Sequence, residues 1–306
     1  MPERIFIDRP LPPGFDELFG PDDAELPTCR AAIAGASPWP AERIATGAML
    51  EVISRSGIGF DTVDLDAAAA QGVVVCNTPD APSISTAEHT MSLLMAASKF
   101  TANNVARLRA GRQDFYAAHE GIELSGATIG VVGHGRIGSR VARMCAAMDM
   151  RVIVCDPYVE VVEHEQVDLD TILTESRVIT MHTPLTDETR NLLDAAAFAR
   201  MQDGVVIVNA ARGGVIDTQA LVDALDSGKV YAAGLDVTAP EPLDPEHTLL
   251  NRDNVVVTPH IASATDKGRV RMYSGAIENA RQVLAGERPV DCVNPHVYEV
   301  LEGRSS

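Results

Sequence analysis

The stretch of residues 128–156 constrains the fold of this chain more than any other. Its first five residues, TIGVV, form an apolar run typical of a buried parallel strand, and the sequence GHGRIG ends that run abruptly. Apolar residues at helical spacing come next, and a second apolar run, residues 152–155, ends on Asp156. The order strand, glycine turn, helix, strand and acid predicts one complete βαβ unit.

The glycines of this turn have separate tasks in a dinucleotide-binding fingerprint. Gly133 allows the tight turn, Gly135 lets the backbone approach a pyrophosphate, and Gly138 lets the helix pack close to its strand. A carboxylate at Asp156 accepts hydrogen bonds from the adenosine ribose and repels a 2′-phosphate. We therefore predict an NAD(H) site and not an NADP(H) site. Arg136 is interpreted as a solvated residue of the first helical turn and not as a 2′-phosphate partner.

Composition sets the broad class of the protein. A length of 306 residues suits two domains, each able to bury a core. A formal charge of −18 argues against nucleic acid and acidic membranes as partners, and no apolar run is long enough to span a membrane. Five scattered cysteines without CxxC pairing predict reduced thiols in a cytoplasmic protein, and the absence of metal-ligand spacing predicts no metal.

Two sets of α/β elements flank the fingerprint. Before it we predict strands at 5–7, 32–34, 50–53 and 73–75, helices at 41–46 and 65–71, and one long helix at 86–109. After it we predict strands at 178–181, 205–209, 231–235 and 255–257, and helices at 194–201, 218–225 and 267–284. The second set has the length that a doubly wound parallel sheet needs. The tail, residues 289–306, contains VDCVNP, which suggests a return to the first domain.

Polar residues just past predicted strands are the candidates for chemistry, because ligands of open α/β sheets bind at the carboxyl ends of the strands. Arg212, Glu241 and His260 follow three such strands. Histidine exchanges a proton near neutral pH, a carboxylate orients an imidazole, and arginine offers a charged fork for a carboxylate or a polarised carbonyl. Taken singly, each has a plainer interpretation as a loop histidine, a surface glutamate or a salt-bridged arginine; their joint placement favours a catalytic set.

The chain resembles the D-isomer-specific 2-hydroxyacid dehydrogenase family from about residue 50 to residue 263. The matching segments are SRSGIGFDTVD, NTPDAPSISTAEH, GHGRIG, CDPY, MHTPLTDETRNLL, NAARGG, LDVTAPEP and TPHIAS. Within the family the likeness is to the phosphoglycerate dehydrogenase and hydroxypyruvate reductase branch, without a C-terminal regulatory domain. Glu241 argues against the formate-oxidising relatives, which carry glutamine at this place.

The resemblance implies a fold and an assembly. It predicts a Rossmann doubly wound domain at residues 98–283 and a smaller flavodoxin-like α/β substrate domain at residues 1–97 and 284–306, with a cleft between them and hinges near residues 98 and 284. It also predicts a homodimer built on the NAD-binding domain. The reaction implied is the NAD-dependent interconversion of a small 2-keto acid and its D-2-hydroxy acid, mainly in the direction of reduction.

The resemblance also assigns site residues. Arg212, Glu241 and His260 are the catalytic set, and Asp236 contacts the nicotinamide amide. The predicted cofactor-binding residues are Gly133, His134, Gly135, Arg136, Ile137, Gly138, Asp156, Pro157, His182, Thr183, Pro184, Ala210, Ala211, Asp236 and Ala262. The predicted substrate-binding residues are Arg55, Ser56, Gly57, Ile58, Gly59, Arg212 and His260, where consecutive backbone N–H groups of residues 56–59 form an anion nest for the substrate carboxylate.

Substrate choice depends on Arg55. If its side chain faces the substrate, a second anionic group such as a phosphate or phosphonate is expected; if it is a surface arginine paired with an acid, glyoxylate or hydroxypyruvate is expected instead. His134 stands where the family more often has a bulky apolar residue. An alternative of another class, a non-enzymatic NAD(H)-sensing scaffold, shares the architecture.

Overall fold

The computed structural model describes residues 4–10, 14–15, 18–20, 22–113 and 121–305. Its strands are β1 (Ile5–Ile7), β2 (Leu18–Phe19), β3 (Ala31–Ala34), β4 (Val52–Arg55), β5 (Val74–Cys76), β6 (Thr128–Val132), β7 (Arg151–Cys155), β8 (Glu165–Gln166), β9 (Val178–Met181), β10 (Val205–Asn209), β11 (Val230–Leu235) and β12 (Val255–Val257). Its helices are α1 (Ala41–Thr46), α2 (Leu65–Gln71), α3 (Ser83–Ser98), α4 (Thr101–Arg109), α5 (Gly138–Ala146), α6 (Leu169–Glu175), α7 (Ala195–Arg200), α8 (Thr218–Asp226), α9 (Asp266–Leu284) and α10 (Val297–Ser305).

The chain divides into two compact units. The smaller unit comprises residues 1–82 and 265–306, and the larger unit comprises residues 83–264. These divisions fall at the starts of α3 and α9, whereas the predicted boundaries at 97/98 and 283/284 fall at the ends of the same two helices. The proposal that residues 98 and 284 act as hinges stays a prediction.

The smaller unit is a five-stranded parallel sheet in the order β2-β1-β3-β4-β5. This is the flavodoxin-like strand order, as predicted. All residues of β3 and β4 are buried, because helices cover both faces of the sheet. On one of its faces Tyr273, Ala276 and Ile277 of α9 pack against apolar residues of β1, β3 and β4.

The larger unit is a seven-stranded parallel sheet in the order β12-β11-β10-β9-β6-β7-β8. The strand order reverses between β6 and β9, which is the Rossmann arrangement and the place where such sheets bind a dinucleotide. The run VVIVN of β10 is buried throughout and coincides with the strand predicted at residues 205–209. The predicted Rossmann fold is confirmed.

The prediction of a single helix at residues 86–109 is wrong. The structure has two helices, α3 and α4, separated by Lys99 and Phe100. Phe100 adopts a left-handed backbone (φ 51°), and its ring packs edge-on against Tyr231 with centroids 5.4 Å apart. Because α4 contains no buried residue, the apolar stripe that supported one continuous helix ends with α3. Helix α6 was missed, although Asp168 caps it by accepting a hydrogen bond from the Thr171 N–H.

The tail returns to the smaller unit, as the sequence VDCVNP suggested. The backbones of Cys292 and Cys76 pair in an isolated antiparallel β-bridge at the edge of β5, and both thiols are free. Asn294 is fully buried; its side-chain oxygen accepts from the Val75 N–H at 2.7 Å and its amide donates to the Val73 carbonyl at 3.0 Å. These bonds supply partners for the edge strand, whose backbone groups need them.

No helix in the described part of the chain combines the length and the apolarity that crossing a bilayer requires.

Candidate active site

Glu241 and His260 meet in the larger unit, each in the loop that follows a strand. His260 Nδ1 lies 2.6 Å from Glu241 Oε1, and each side chain is 38% exposed. The His260 backbone is left-handed (φ 52°), and its N–H donates to the Asp236 carbonyl at 2.8 Å. Because Nδ1 is engaged by the carboxylate, Nε2 is the ring nitrogen left to exchange a proton with a ligand.

The charge state of Glu241 follows from opposing effects. Burial alone raises the pKa of the carboxyl, but the hydrogen bond from His260, the charge of His260, the Thr238 N–H and the charge of Arg212 together hold that pKa below its ordinary value of 4.5. Glu241 is therefore ionised at neutral pH. The ionised carboxylate at Nδ1 fixes the orientation of the imidazole ring.

Asp236 is buried and organises the loop that carries His260. Its carboxylate accepts from the Ile261 N–H (2.9 Å), the Ala262 N–H (2.8 Å) and the Thr258 hydroxyl (2.6 Å). His89 of α3 lies 3.3 Å from the same carboxylate through Nε2, and 3.0 Å from the Thr258 hydroxyl. Sequence reasoning missed the contribution of His89 and Thr258, which stand 169 residues apart and have no shared motif.

Arg212 follows β10, and the turn that presents it is shaped by Asn209. The Asn209 side-chain oxygen accepts from the Ala211 N–H at 3.0 Å, and its amide donates to the Arg212 carbonyl at 2.8 Å. The Arg212 guanidinium donates from Nη1 to the Ala211 carbonyl at 2.8 Å. Asn209 is buried, and no signal in the sequence marked it beyond its place at the strand end.

The predicted cofactor turn lies after β6, at the reversal of strand order, and its three glycines differ. Gly133 has φ 92°, and a Cβ there would lie 2.6 Å from the His182 carbonyl oxygen. A Cβ on Gly138 would lie 2.0 Å from the Gly133 carbonyl oxygen. A Cβ on Gly135 would meet nothing within 4 Å, so this side of the turn faces open space. That opening at the start of α5 fits the approach of a pyrophosphate.

The predicted ribose acid, Asp156, lies at the end of β7. Its Oδ2 accepts from the His134 N–H at 2.7 Å, and its Oδ1 accepts from the N–H groups of Tyr158 (2.9 Å) and Val159 (3.2 Å). The carboxylate is thus held against the glycine turn. The predicted contact between Asp156 and the ribose requires the carboxylate to lie beside that turn.

The other predicted cofactor residues surround the same strand ends. The His182 N–H donates to the Val132 carbonyl at 2.7 Å, and its Nε2 lies 2.9 Å from the Thr180 hydroxyl. Burial of the ring lowers the pKa of His182 to about 3, although part of the residue is exposed. The Thr183 hydroxyl is buried and has no hydrogen-bond partner in the described structure. Of the remainder, Arg136, Pro157 and Pro184 are exposed, Ile137 and Ala211 are partly exposed, and Ala210 and Ala262 are buried.

The predicted carboxylate nest lies in the smaller unit, after β4. The N–H of Ser56 donates to the Ala34 carbonyl at 3.0 Å, because the chain still pairs with β3 at that point. Within the described residues, the N–H groups of Gly57, Ile58 and Gly59 donate to no protein acceptor. The carboxylate-binding proposal therefore keeps residues 57–59, and the backbone N–H of Ser56 is already engaged.

Arg55 is 7% exposed and is not a surface arginine. Its Nε donates to the Gly59 carbonyl at 2.8 Å, so the side chain lies beneath the turn and braces it. The carbonyls of the turn are also held, since Asn77 donates to Ile58 at 2.7 Å and the Thr78 N–H donates to Gly57 at 3.0 Å. A rigid turn keeps its amides pre-organised for an anion.

Metal ligation is not supported by the described residues, which contain no group of three or more His, Cys, Asp or Glu side chains that could hold an ion.

Comparison with known proteins identifies the family. Residues 91–262 match the model described as "D-isomer specific 2-hydroxyacid dehydrogenase, NAD binding domain". The D-3-phosphoglycerate dehydrogenase of Archaeoglobus fulgidus is 44% identical over 237 residues, covering 76% of this chain and 45% of that protein. The hydroxypyruvate reductase of Thermotoga maritima is 42% identical over 250 residues, covering 80% of this chain and 81% of that protein. The structure of the TT0316 protein from Thermus thermophilus superposes with a TM-score of 0.88 at 35% identity, covering 95% and 99% of the two chains.

The chain belongs to the D-isomer-specific 2-hydroxyacid dehydrogenase family, and its larger unit is the NAD-binding domain. It spans about half the length of several phosphoglycerate dehydrogenases that it matches.

Proposed function

We propose that the protein is an NAD-dependent D-2-hydroxyacid dehydrogenase that works mainly as a 2-keto acid reductase. The observation that carries the proposal is the contact of 2.6 Å between His260 Nδ1 and Glu241 Oε1, at the strand ends where ligands of such sheets bind. Reduction of a carbonyl group needs a proton donor beside the oxygen, and an ionised carboxylate can hold such a donor in one orientation.

Each residue of the set has a defined task in this proposal. NADH, held by the glycine turn of residues 133–138 and by Asp156, would supply the hydride for reduction of the keto carbon. Protonated His260 donates its Nε2 proton to the oxygen as charge develops there, and Glu241 stabilises the imidazolium. Arg212, permanently charged, stabilises the same oxygen and orients the substrate. In the reverse direction neutral His260 accepts the hydroxyl proton.

The protein's own groups also determine how the substrate is held. The amides of Gly57, Ile58 and Gly59 are proposed to bind the substrate carboxylate, and Arg55 is proposed to favour a second anion such as a phosphate or phosphonate. Support comes from the burial of Arg55 beneath these amides and from the match to phosphoglycerate dehydrogenases. The alternative, a glyoxylate or hydroxypyruvate reductase, is favoured by the match to the Thermotoga maritima hydroxypyruvate reductase.

The reaction is tested first at His260. We expect His260→Ala to lower kcat at least ~10²-fold, while the Kd for NADH, measured by fluorescence titration, stays within about twofold of wild type. His247→Ala serves as a matched control and should leave kcat unchanged. This histidine also lies in the larger unit, but its ring caps a short 3₁₀ helix and has no part in the proposed reaction. An unaltered rate for His260→Ala, or failure of the wild-type protein to oxidise NADH with any small 2-keto acid, would favour the NAD(H)-sensing scaffold instead.

Substrate class is tested by NADH oxidation with glyoxylate, hydroxypyruvate, pyruvate, phosphohydroxypyruvate and phosphonopyruvate. The panel is repeated with Arg55→Ala and with Arg55→Lys, which keeps the charge. If Arg55 attracts a remote anion, the alanine variant loses only the two phosphorus-containing substrates, and lysine restores part of that loss. Equal losses on all five would assign Arg55 to bracing the turn alone.

The proposal includes a homodimer formed through the NAD-binding domain. Helix α4 supports it, since none of its residues is buried and Val105 and Leu108 are exposed. We expect Leu108→Arg to shift the mass measured by light scattering from dimer to monomer; a wild-type monomer would contradict this part. We also propose a cytoplasmic location, consistent with five cysteines that are free thiols.

A further inference from the structure

His134 and His164 form a pair of rings beside the ribose acid in the larger unit. Their ring centroids are 6.0 Å apart in an edge-to-face arrangement, and His134 is only 9% exposed. The Nε2 atoms of both rings are buried and have no hydrogen-bond partner among the described residues. Leaving a buried polar atom unpaired costs about 1–3 kcal/mol, so two such atoms in one cluster call for an explanation.

Asp156, the neighbour of this pair, has little acceptor capacity left. Its two oxygens already accept three backbone hydrogen bonds, from His134, Tyr158 and Val159. A carboxylate offers about four acceptor positions, so about one remains. The adenosine ribose of NAD(H) presents two hydroxyl groups, and Asp156 in this conformation can accept from only one of them.

We propose that His134 and His164 form a second binding element for the adenosine half of NAD(H), in which their ring nitrogens make the hydrogen bonds that Asp156 has no acceptor left to make. The N–H of His134 thereby holds Asp156, and in the proposed complex the two rings turn so that their nitrogens, which are covered in the free protein, reach the ligand. The inference rests on the NAD(H) part of the proposed function. It is independent of the proposed reaction, because it concerns binding without substrate.

The protonation state of His134 suits an acceptor. Burial and the neighbouring His164 lower its pKa, and the opposing effects of Glu163 and Asp156 do not cancel this shift. The ring is therefore neutral at neutral pH and carries one nitrogen that accepts a hydroxyl hydrogen.

The test measures equilibrium binding of NADH, ADP-ribose and nicotinamide mononucleotide at neutral pH by calorimetry. We expect His134→Leu and His164→Leu each to weaken binding of NADH and ADP-ribose by about fivefold, and to leave nicotinamide mononucleotide unchanged because it lacks the adenosine half. Ser176→Ala is the matched control, since its hydroxyl is also buried without a partner but lies in another part of the larger unit. It should change no affinity.

Thermal unfolding of the free protein separates a binding role from a structural one. Replacing an unpaired buried imidazole by leucine should leave the melting temperature unchanged or raised while affinity falls. His134→Gln, which retains hydrogen-bonding atoms, should keep more ADP-ribose affinity than His134→Leu. Unchanged ADP-ribose binding in both leucine variants, or an equal loss for nicotinamide mononucleotide, would overturn the proposal.

Discussion

Two glycine-rich turns follow buried parallel strands, and their glycines have different surroundings. In the larger unit, Gly133 and Gly138 are required by neighbouring backbone, since a Cβ on either would lie 2.6 Å or less from a carbonyl oxygen. In the smaller unit, a Cβ on Gly57 would meet nothing within 4 Å. Only Gly135 of the first turn shares that openness. The fold therefore requires glycine at positions 133 and 138, whereas the protein leaves room for a side chain at positions 57 and 135.

The largest difference between the two turns is expected at Gly138. Gly138→Ala should reduce the free energy of unfolding by about 1–3 kcal/mol, because its methyl group and the Gly133 carbonyl cannot both keep their places. Urea unfolding of the free protein gives the measurement. A variant as stable as wild type would show that this turn relaxes freely and would remove the distinction between the two turns.

Gly135→Ala should affect the ligand and not the fold. Stability should stay within about 0.5 kcal/mol of wild type, whereas affinity for NADH should fall roughly tenfold, about 1.4 kcal/mol, because the methyl group occupies the path of the pyrophosphate. Gly138→Ala and Gly135→Ala form a matched pair in one turn. Loss of stability in the second variant would contradict the assignment of Gly135 to ligand approach.

Gly57→Ala tests the turn of the smaller unit. Its methyl group would enter open space beside the amides of residues 57–59, so stability and NADH affinity should be unchanged. The KM for the 2-keto acid should rise roughly fivefold, about 1 kcal/mol, with kcat little altered. An unchanged KM would separate this turn from the substrate.

The smallest expected effect is the change with acid pH in the free energy of unfolding that the side chain of Glu241 contributes. The pKa of Glu241 is lowered in the folded protein, so its pair with His260 contributes stability above pH 4.5, and that contribution is lost as pH falls through the lower folded value. Both side chains are partly exposed, so the effect should stay below about 1 kcal/mol. The difference in unfolding free energy between wild type and Glu241→Gln, measured at about pH 7 and about pH 3.5, should shrink with acidification. A constant difference would assign Glu241 no ionic role.

Sequence reasoning performed best where the signal is local. The bounds of α1, α2, β9, β10 and β12 agree with the predictions, since capping residues and short apolar runs act within a few residues. It failed between α3 and α4, where one apolar stripe covered two helices and nothing marked the left-handed Phe100. It also missed α6, which connects β8 to β9, and α10, which lies in the tail after the last predicted helix.

The residues of the candidate site also fall into those that the sequence marks locally and those that it does not. Arg212, Glu241 and His260 could be named because strand ends are recognisable in sequence, but the roles of Asn209, His89 and Thr258 could not. Their hydrogen bonds depend on which strands are neighbours and on where α3 lies against them. The sequence allows two interpretations of Arg55, and its burial in the structure excludes the surface one.

By itself the sequence determined the βαβ unit of residues 128–156, its glycine turn and its acid, because periodicity and turn stereochemistry are properties of consecutive residues. Tertiary structure alone decided that Glu241 lies 2.6 Å from His260, that Asp236 fastens the loop carrying His260, and that the tail pairs with β5. The physical reason is that hydrogen bonds and burial act over a few ångströms of space. The residues they join are separated by long stretches of chain, and only the order of the strands brings them together.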